Sequence, residues 1–301
     1  MGIKKILSLF SKLMIGALAV LCLSRFCDSQ TKGFRSYFIV SNLPNETRWE
    51  TLPLPVDEQN RIHALLDQPF TYLGSGGWCY AFLGEDQKTI LKFFKHEHLF
   101  LGSILRDFSF SSLLMKSPPW PKNTPYFQEF NFNSCALLYK EAKDRTGLLY
   151  LHLNKTKNLH KPVILIDNIG VRHTIDLDST EFVVQKRAEL LFEHIDRLAK
   201  ENKINEVKKS LDDMIDCLLT LFKRGMRDLD LSLHHNYGYT EDGAITLDLS
   251  SFDKDETLMR PGNYRKELIV KTRWLSRFLN KNYPDLYIYF ENRLSEIVEN
   301  G

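Results

Sequence analysis

Met226-Arg227-Asp228-Leu229-Asp230-Leu231-Ser232-Leu233-His234-His235-Asn236 is the stretch on which the reading of this 301-residue chain turns. It follows Ile204 to Lys223, where Val207, Leu211, Ile215, Leu218, Leu219 and Phe222 recur at spacings of three and four, the period of a helix with one buried face. Gly225 stops that helix. Beyond the stretch, Tyr237 to Tyr239 and Ala244 to Leu247 read as two short strands around a turn at Thr240 to Gly243. An aspartate, Asp228 or Asp230, followed after a short loop by Asn236 suits a carboxylate that orients a hydroxyl beside an amide oxygen that holds Mg²⁺. Asp248, in Leu247-Asp248-Leu249-Ser250, ends the next strand, where a second ligand of the same ion belongs.

Toward the N-terminus, Leu73-Gly74-Ser75-Gly76-Gly77-Trp78-Cys79-Tyr80-Ala81-Phe82 forms a glycine-rich turn between two strands. Gly74, Ser75, Gly76 and Gly77 would let the backbone approach a polyphosphate, adopt positive φ and turn successive N–H groups toward phosphate oxygens. Such turns also join ordinary hairpins, so the next strand carries the greater weight. Thr89-Ile90-Leu91-Lys92-Phe93-Phe94 sets one lysine in an otherwise apolar strand, a position from which a cation reaches the α- and β-phosphates of a nucleotide. Lys95 falls on a different face and reads as a solvent lysine.

From Phe70 to Phe252 these elements occur in an order that resembles the protein-kinase-like superfamily. The resemblance implies an α+β, two-lobed protein-kinase-like fold, with a small β-rich N-lobe over 69–185 and a shortened helical C-lobe over 186–301. It implies ATP between the lobes, Lys92 on its phosphates, Asn236 and Asp248 on Mg²⁺, Asp230 or Asp228 as base, and the peptide from Phe182 to Arg187 against the adenine. The chain also departs from the pattern. Cys79 stands at the third glycine, Asp230 precedes Asn236 by six residues where the family motif has five, and Leu-Ser follows Asp248 where the family has Phe-Gly. On the helix expected from Phe127 to Lys143, Glu129 falls early and Glu141 late for a partner of Lys92. Only about fifty residues follow Asp248, without an Ala-Pro-Glu signature, so the segment that holds peptide substrates in the family is expected to be short. An ATP- and Mg²⁺-dependent transfer to a hydroxyl acceptor is the expected function. The alternative is a pseudokinase scaffold that binds a nucleotide or a protein partner without catalysis.

Residues 1–27 form a separate unit. Lys4 and Lys5 precede an apolar stretch from Ile6 to Leu23, as in a signal peptide or signal anchor. Leu21, Leu23 and Arg25 occupy places where small residues precede a cleavage, which favours an anchor and a membrane-associated chain over a secreted one. Residues 28–68, with Pro44, Pro53 and Pro55, read as a linker that runs into a helix from Asp57 to Leu66. The prolines at 118, 119, 121 and 125 mark an irregular insertion over His96 to Tyr126. Strands are expected at Leu148 to Leu153, Val163 to Ile169 and Phe182 to Gln185, and helices at Lys186 to Lys200, Tyr264 to Leu279 and Leu286 to Val298.

Composition narrows the function classes. A formal charge of +2, from 40 basic and 38 acidic residues, supplies no cationic field of the kind a nucleic-acid partner requires. Cys22, Cys27, Cys79, Cys135 and Cys217 contain no CxxC pair, so they read as buried or inert thiols rather than a zinc site or disulfide framework. No GxSxG elbow is present. His234 and His235 lack a third ligand at helical spacing and read as a loop pair. Asp167, Asp176 and Asp178 read as turn formers on a solvated face. Asn45-Glu46-Thr47 and Asn154-Lys155-Thr156 match the glycosylation triplet, which is frequent by chance.

Overall fold

The computed structural model describes residues 3–41, 43–51, 53–96 and 125–300, an α+β fold organised on a seven-stranded sheet. The insertion expected over His96 to Tyr126 lies almost wholly outside the described residues. Strands β1 (Phe70–Ser75), β2 (Cys79–Gly84) and β3 (Thr89–Phe94) form an antiparallel meander. The β2–β3 turn closes on Asp86, whose carboxylate accepts the backbone N–H groups of Lys88 and Thr89 at 2.9 Å each. Helix α1 (Ile3–Gln30) precedes the sheet, with α2 (Val56–Leu66) between them.

Helix α3 (Pro125–Glu141) leads into β4 (Leu148–His152), followed by β5 (Val163–Ile166), β6 (Arg172–Ile175) and β7 (Phe182–Lys186). The sheet order is β4-β7-β3-β2-β1-β5-β6, with every pairing antiparallel except β1 with β5. Period-two alternation sorts β3: Leu91 and Phe93 join the outer core with Phe34, Phe70, Phe82 and Phe182, while Phe94 joins the inner core with Trp78, Phe132 and Leu151. Lys92 shares the Phe94 parity and so points toward the helices.

A short strand β8 (Glu189–Leu190) opens the helical half, followed by α4 (Leu191–Lys200), α5 (Ile204–Lys223) and β9 (Met226–Asp228). Helix α5 has the expected bounds, and its Val207, Leu211, Leu218 and Leu221 are fully buried. Next come α6 (Leu233–Asn236), the hairpin β10 (Tyr237–Thr240) and β11 (Gly243–Thr246), and β12 (Phe252–Lys254), which pairs with β9. Helices α7 (Pro261–Asn282) and α8 (Pro284–Asn300) pack on each other and on α5.

Two expectations need correction. Residues 28–68 are not a free linker: they form a strap over the sheet. Phe34 and Ile39 are buried in the outer core, which contributes roughly 1.5–3 kcal/mol each. Trp49 stacks edge-on against Phe132 with ring centres 5.0 Å apart, and Ser41 Oγ donates to Glu181 at 2.5 Å. The glycosylation triplets clasp each other: Asn45 Nδ2 donates to the Lys155 carbonyl at 2.8 Å and Asn154 Nδ2 to the Glu46 carbonyl at 2.9 Å. The second correction concerns the aspartates. They do make turns, but Asp167 and Asp178 are buried rather than solvated, each accepting two backbone N–H groups.

Three histidines, His63, His152 and His160, line a cavity of about 300 Å³ beneath the strap. Burial lowers the pKa of His152 and lowers that of His160 from its ordinary 6.5 to about 4. Because the unfolded imidazoles gain protons near 6.5 and the folded ones resist them, the unfolded state binds more protons throughout this window, and stability falls as the pH falls from 6.5 toward 4. We expect a loss on the order of 1–2 kcal/mol, discounted for partial solvent screening. It is read from urea midpoints across that range, and His160→Phe should flatten the acid limb. A limb of unchanged steepness in the variant would assign the effect to other groups.

Candidate functional site

Between the sheet and the helical half lies a cleft of about 990 Å³, lined among others by Leu73, Ala81, Ile90, Lys92, Gln185, Ala188, Leu190 and Leu247. Of the site residues expected from the sequence, Lys92 lines it, as does Leu247, the residue before Asp248. In β3, Lys92 sits opposite Ala81 on one side and Val183 on the other, and its Nζ donates to the Leu247 carbonyl at 2.7 Å. The next residue is Asp248. Three donors converge on its Oδ1: the Trp78 indole N–H at 2.8 Å, the Ser250 backbone N–H at 2.9 Å and the Ser250 hydroxyl at 2.8 Å.

The loop after β9 brings Asp230 to Asn236, whose main chain meets Leu247. Asp230 Oδ1 accepts the Ser232 N–H at 2.8 Å, and its Oδ2 accepts Asn236 Nδ2 at 2.9 Å, so the carboxylate is oriented yet exposed. With its nitrogen committed to Asp230, the Asn236 amide keeps its oxygen available. The Asn236 main-chain carbonyl accepts the Leu247 N–H at 2.6 Å and thereby fixes the approach of the strand that carries Asp248. The side-chain oxygens Asn236 Oδ1 and Asp248 Oδ2 are not engaged by the hydrogen bonds that hold these residues and could each serve a cation. Two protein oxygens with waters and phosphates completing the shell suit Mg²⁺, which rarely takes an all-protein cage. No group of three His, Cys, Asp or Glu residues able to hold a metal occurs among the described residues, and His234 and His235, expected in a loop, lie in the short helix α6.

Asp228, the other aspartate expected as a base, occupies a different environment. Its side chain is buried and takes four donors: Asp230 N–H at 3.0 Å, Ser251 Oγ at 2.6 Å, Tyr237 Oη at 3.0 Å and Lys271 Nζ at 2.5 Å. Burial raises its pKa, against the pull of the Lys271 ammonium. A carboxylate so enclosed does not reach the cleft, which corrects its candidacy as base. Lys271 also donates to the Asp230 carbonyl, so a single ammonium holds the Asp228 side chain and the start of the loop.

The glycine turn also differs from expectation. Gly74, Gly76 and Gly77 are absent from the positive-φ glycines, and a Cβ added at any of them would meet nothing within 4 Å. Their contribution is open space at the turn rather than a special backbone. Lys95 is folded onto the turn, donating to Ser75 Oγ at 2.6 Å and the Gly76 carbonyl at 2.5 Å. The peptide expected against adenine is engaged in the sheet, with the Lys186 N–H donating to Gly147 and the Arg187 N–H to Lys88, and its last residues, Gln185, Lys186 and Arg187, line the cleft together with Ala188. Neither helix glutamate meets Lys92. Glu129 pairs with Arg48 and Glu141 with Lys254. Cys79, Cys135 and Cys217 are buried, with burial raising the thiol pKa of Cys79 to about 11.

Sequence reasoning missed Trp78, Lys95 and Lys271. Lys271 had a signal: it occupies the apolar stripe Tyr264, Leu268, Leu275 and Leu279, where an ammonium requires a buried carboxylate.

No protein-family model matches the chain, and no curated protein does. Among solved structures it has a distant likeness to the bifunctional kinase-methyltransferase WbdD, at 16% sequence identity and a TM-score of 0.32. The likeness covers 72% of this chain and 43% of that one, so the chain spans less than half the length of this neighbour.

Removing Lys271 would leave Asp228 buried and uncompensated. We expect Lys271→Ala to lower stability by about 3–5 kcal/mol in denaturant titrations, with Asp230→Asn changing it by less than about 1 kcal/mol. Equal effects from the two substitutions would contradict the division of labour between the two aspartates.

Proposed function

We propose that the chain is a kinase-like phosphotransferase that uses ATP and Mg²⁺ to phosphorylate a hydroxyl. The observation that carries this reading is the hydrogen-bonded linkage of Lys92, which lines a cleft large enough for a nucleotide, through Leu247 to its neighbour Asp248 and to Asn236 and Asp230. ATP bound there would supply the phosphoryl group, and Mg²⁺ would neutralise its oxygens. The chain's own part is positioning. Lys92 offers its ammonium to phosphate oxygens, Asn236 and Asp248 offer one oxygen each to the cation, and Asp230 accepts a hydrogen bond from the acceptor hydroxyl. The open space over Gly74, Gly76 and Gly77 suits close approach of a polyphosphate.

A second reading, a nucleotide- or partner-binding scaffold without catalysis, is favoured by one arrangement. Lys92 has a carbonyl and an indole ring for company rather than a carboxylate, and Trp78 lies across Asp248. Thermal unfolding of the full chain in detergent, with and without ATP and Mg²⁺, separates the readings. A Mg²⁺-dependent rise in midpoint should vanish in Lys92→Ala and in Asp248→Ala. Asp230→Asn should keep the rise while losing phosphoryl transfer by roughly 10²-fold or more. A midpoint rise with no transfer to any hydroxyl acceptor supports the nucleotide-binding scaffold, and no rise at millimolar ATP overturns the phosphotransferase and leaves a nucleotide-free scaffold.

Trp78 gives an independent check. Removing the indole donor from Asp248 Oδ1 by Trp78→Phe, which leaves the two Ser250 donors in place, should lower the Mg²⁺ concentration at which half of the thermal shift develops. A higher requirement would mean that the indole orients the carboxylate rather than competing for it.

A further inference from the structure

Apart from the half-buried Asp28, helix α1 is exposed over its described side chains, and Ser8–Gln30 is long and apolar enough to cross a membrane. Its C-terminal end is fixed to the sheet. Asn168 Nδ2 donates to the Gln30 carbonyl at 2.7 Å, Tyr80 Oη donates to the Gly33 carbonyl at 2.8 Å, and Phe34 is buried edge-on against Tyr80 and Phe82. A span built from α1 would therefore join the folded body directly.

Beside that end is the β5–β6 turn, Asp167-Asn168-Ile169-Gly170-Val171. The turn is built around Asp167, which is 5% exposed. Its Oδ1 accepts the N–H groups of Ile169 and Val171 at 3.0 and 2.9 Å, and its Oδ2 meets His173 Nε2 at 2.9 Å. Gly170 supplies the left-handed corner at φ 86°. The fold thus holds the turn rigidly while Ile169 and Val171 stand 53% and 47% exposed, contributing little to the core. Hairpin tips in water are ordinarily polar. Arg25, Lys32 and Arg172 lie exposed around the same junction.

We propose that this hairpin tip seats in the headgroup layer of the bilayer that α1 enters, with Ile169 and Val171 reaching the acyl boundary. Ser8–Gln30 as a helix is about 35 Å long, against about 30 Å of hydrocarbon, which leaves Gln30 and the adjacent tip at headgroup depth. The basic residues suit anionic headgroups. Because β1 and β5 are parallel, with Thr71 opposite Ile166, the chain leaving β5 runs toward the glycine turn, within roughly 10 Å along the strands. The cleft mouth is thereby held near the membrane surface, where a lipid-borne hydroxyl would be presented. The docking requires α1 in a bilayer but does not require phosphoryl transfer.

The test uses spin labels on the full chain in nanodiscs of phosphatidylcholine and phosphatidylglycerol, with Cys22→Ser and Cys27→Ser as background. Labels are placed through Ile169→Cys, Val171→Cys, Leu18→Cys and, on a distant helix, Asn280→Cys. Expected is a hydrocarbon signature at Leu18 and, at Ile169 and Val171, collision with a water-soluble nickel complex at least threefold below that at Asn280. Hydrocarbon at Leu18 with Ile169 and Val171 as accessible as Asn280 overturns the docking of the tip alone. Aqueous signals at Leu18 as well overturn the anchor, and the proposal with it.

Discussion

The ion pair between Lys271 and Asp228 is the interaction on which the site depends. Burying an ammonium and a carboxylate is costly, and the cost is recovered only when both are hydrogen-bonded. Here the carboxylate also takes Tyr237, Ser251 and the Asp230 N–H. These donors come from β10, the segment before β12, and the loop itself, so satisfying one buried charge draws three parts of the chain and α7 into one geometry. Asp230 is left exposed on a loop whose backbone is held from below.

A second constraint acts from the sheet. Pairing fixes Lys92 between Ala81 and Val183, and its reach to the Leu247 carbonyl joins the sheet to the strand that carries Asp248. Trp78 makes the same connection from the glycine turn. The cleft is therefore closed at one end by polar contacts between the two halves rather than by apolar packing alone, a junction that can exchange partners without exposing core.

Much of this was legible in the sequence. The α5 periodicity, the β1–β3 meander and the β10–β11 hairpin follow from spacing and turn residues alone, and Lys92, Asp230, Asn236 and Asp248, expected together from their order, are linked by hydrogen bonds through Leu247. What escaped depended on contacts between distant residues. Nothing local distinguishes Asp228 from Asp230 until Lys271, some forty residues on, claims one of them. Nor does the proline-rich composition of 28–68 reveal that Phe34, Ile39 and Trp49 have partners in the sheet and on α3. The segment was polar enough to read as a linker because only a few of its side chains carry the attachment. Strands β6, β9 and β12 are short, and their pairing, rather than their composition, defines them.

The parallel pairing of β1 with β5 has a consequence for the order of events during synthesis. Phe70 waits for Leu165, and Phe34, through its edge contact with His173, waits longer still. Closing so long a loop is slow compared with forming the neighbouring hairpins. The N-terminal helix therefore emerges from the ribosome well before the surface that receives its end exists. During that interval the strap's apolar residues are unsheltered, a vulnerable stage for a nascent chain.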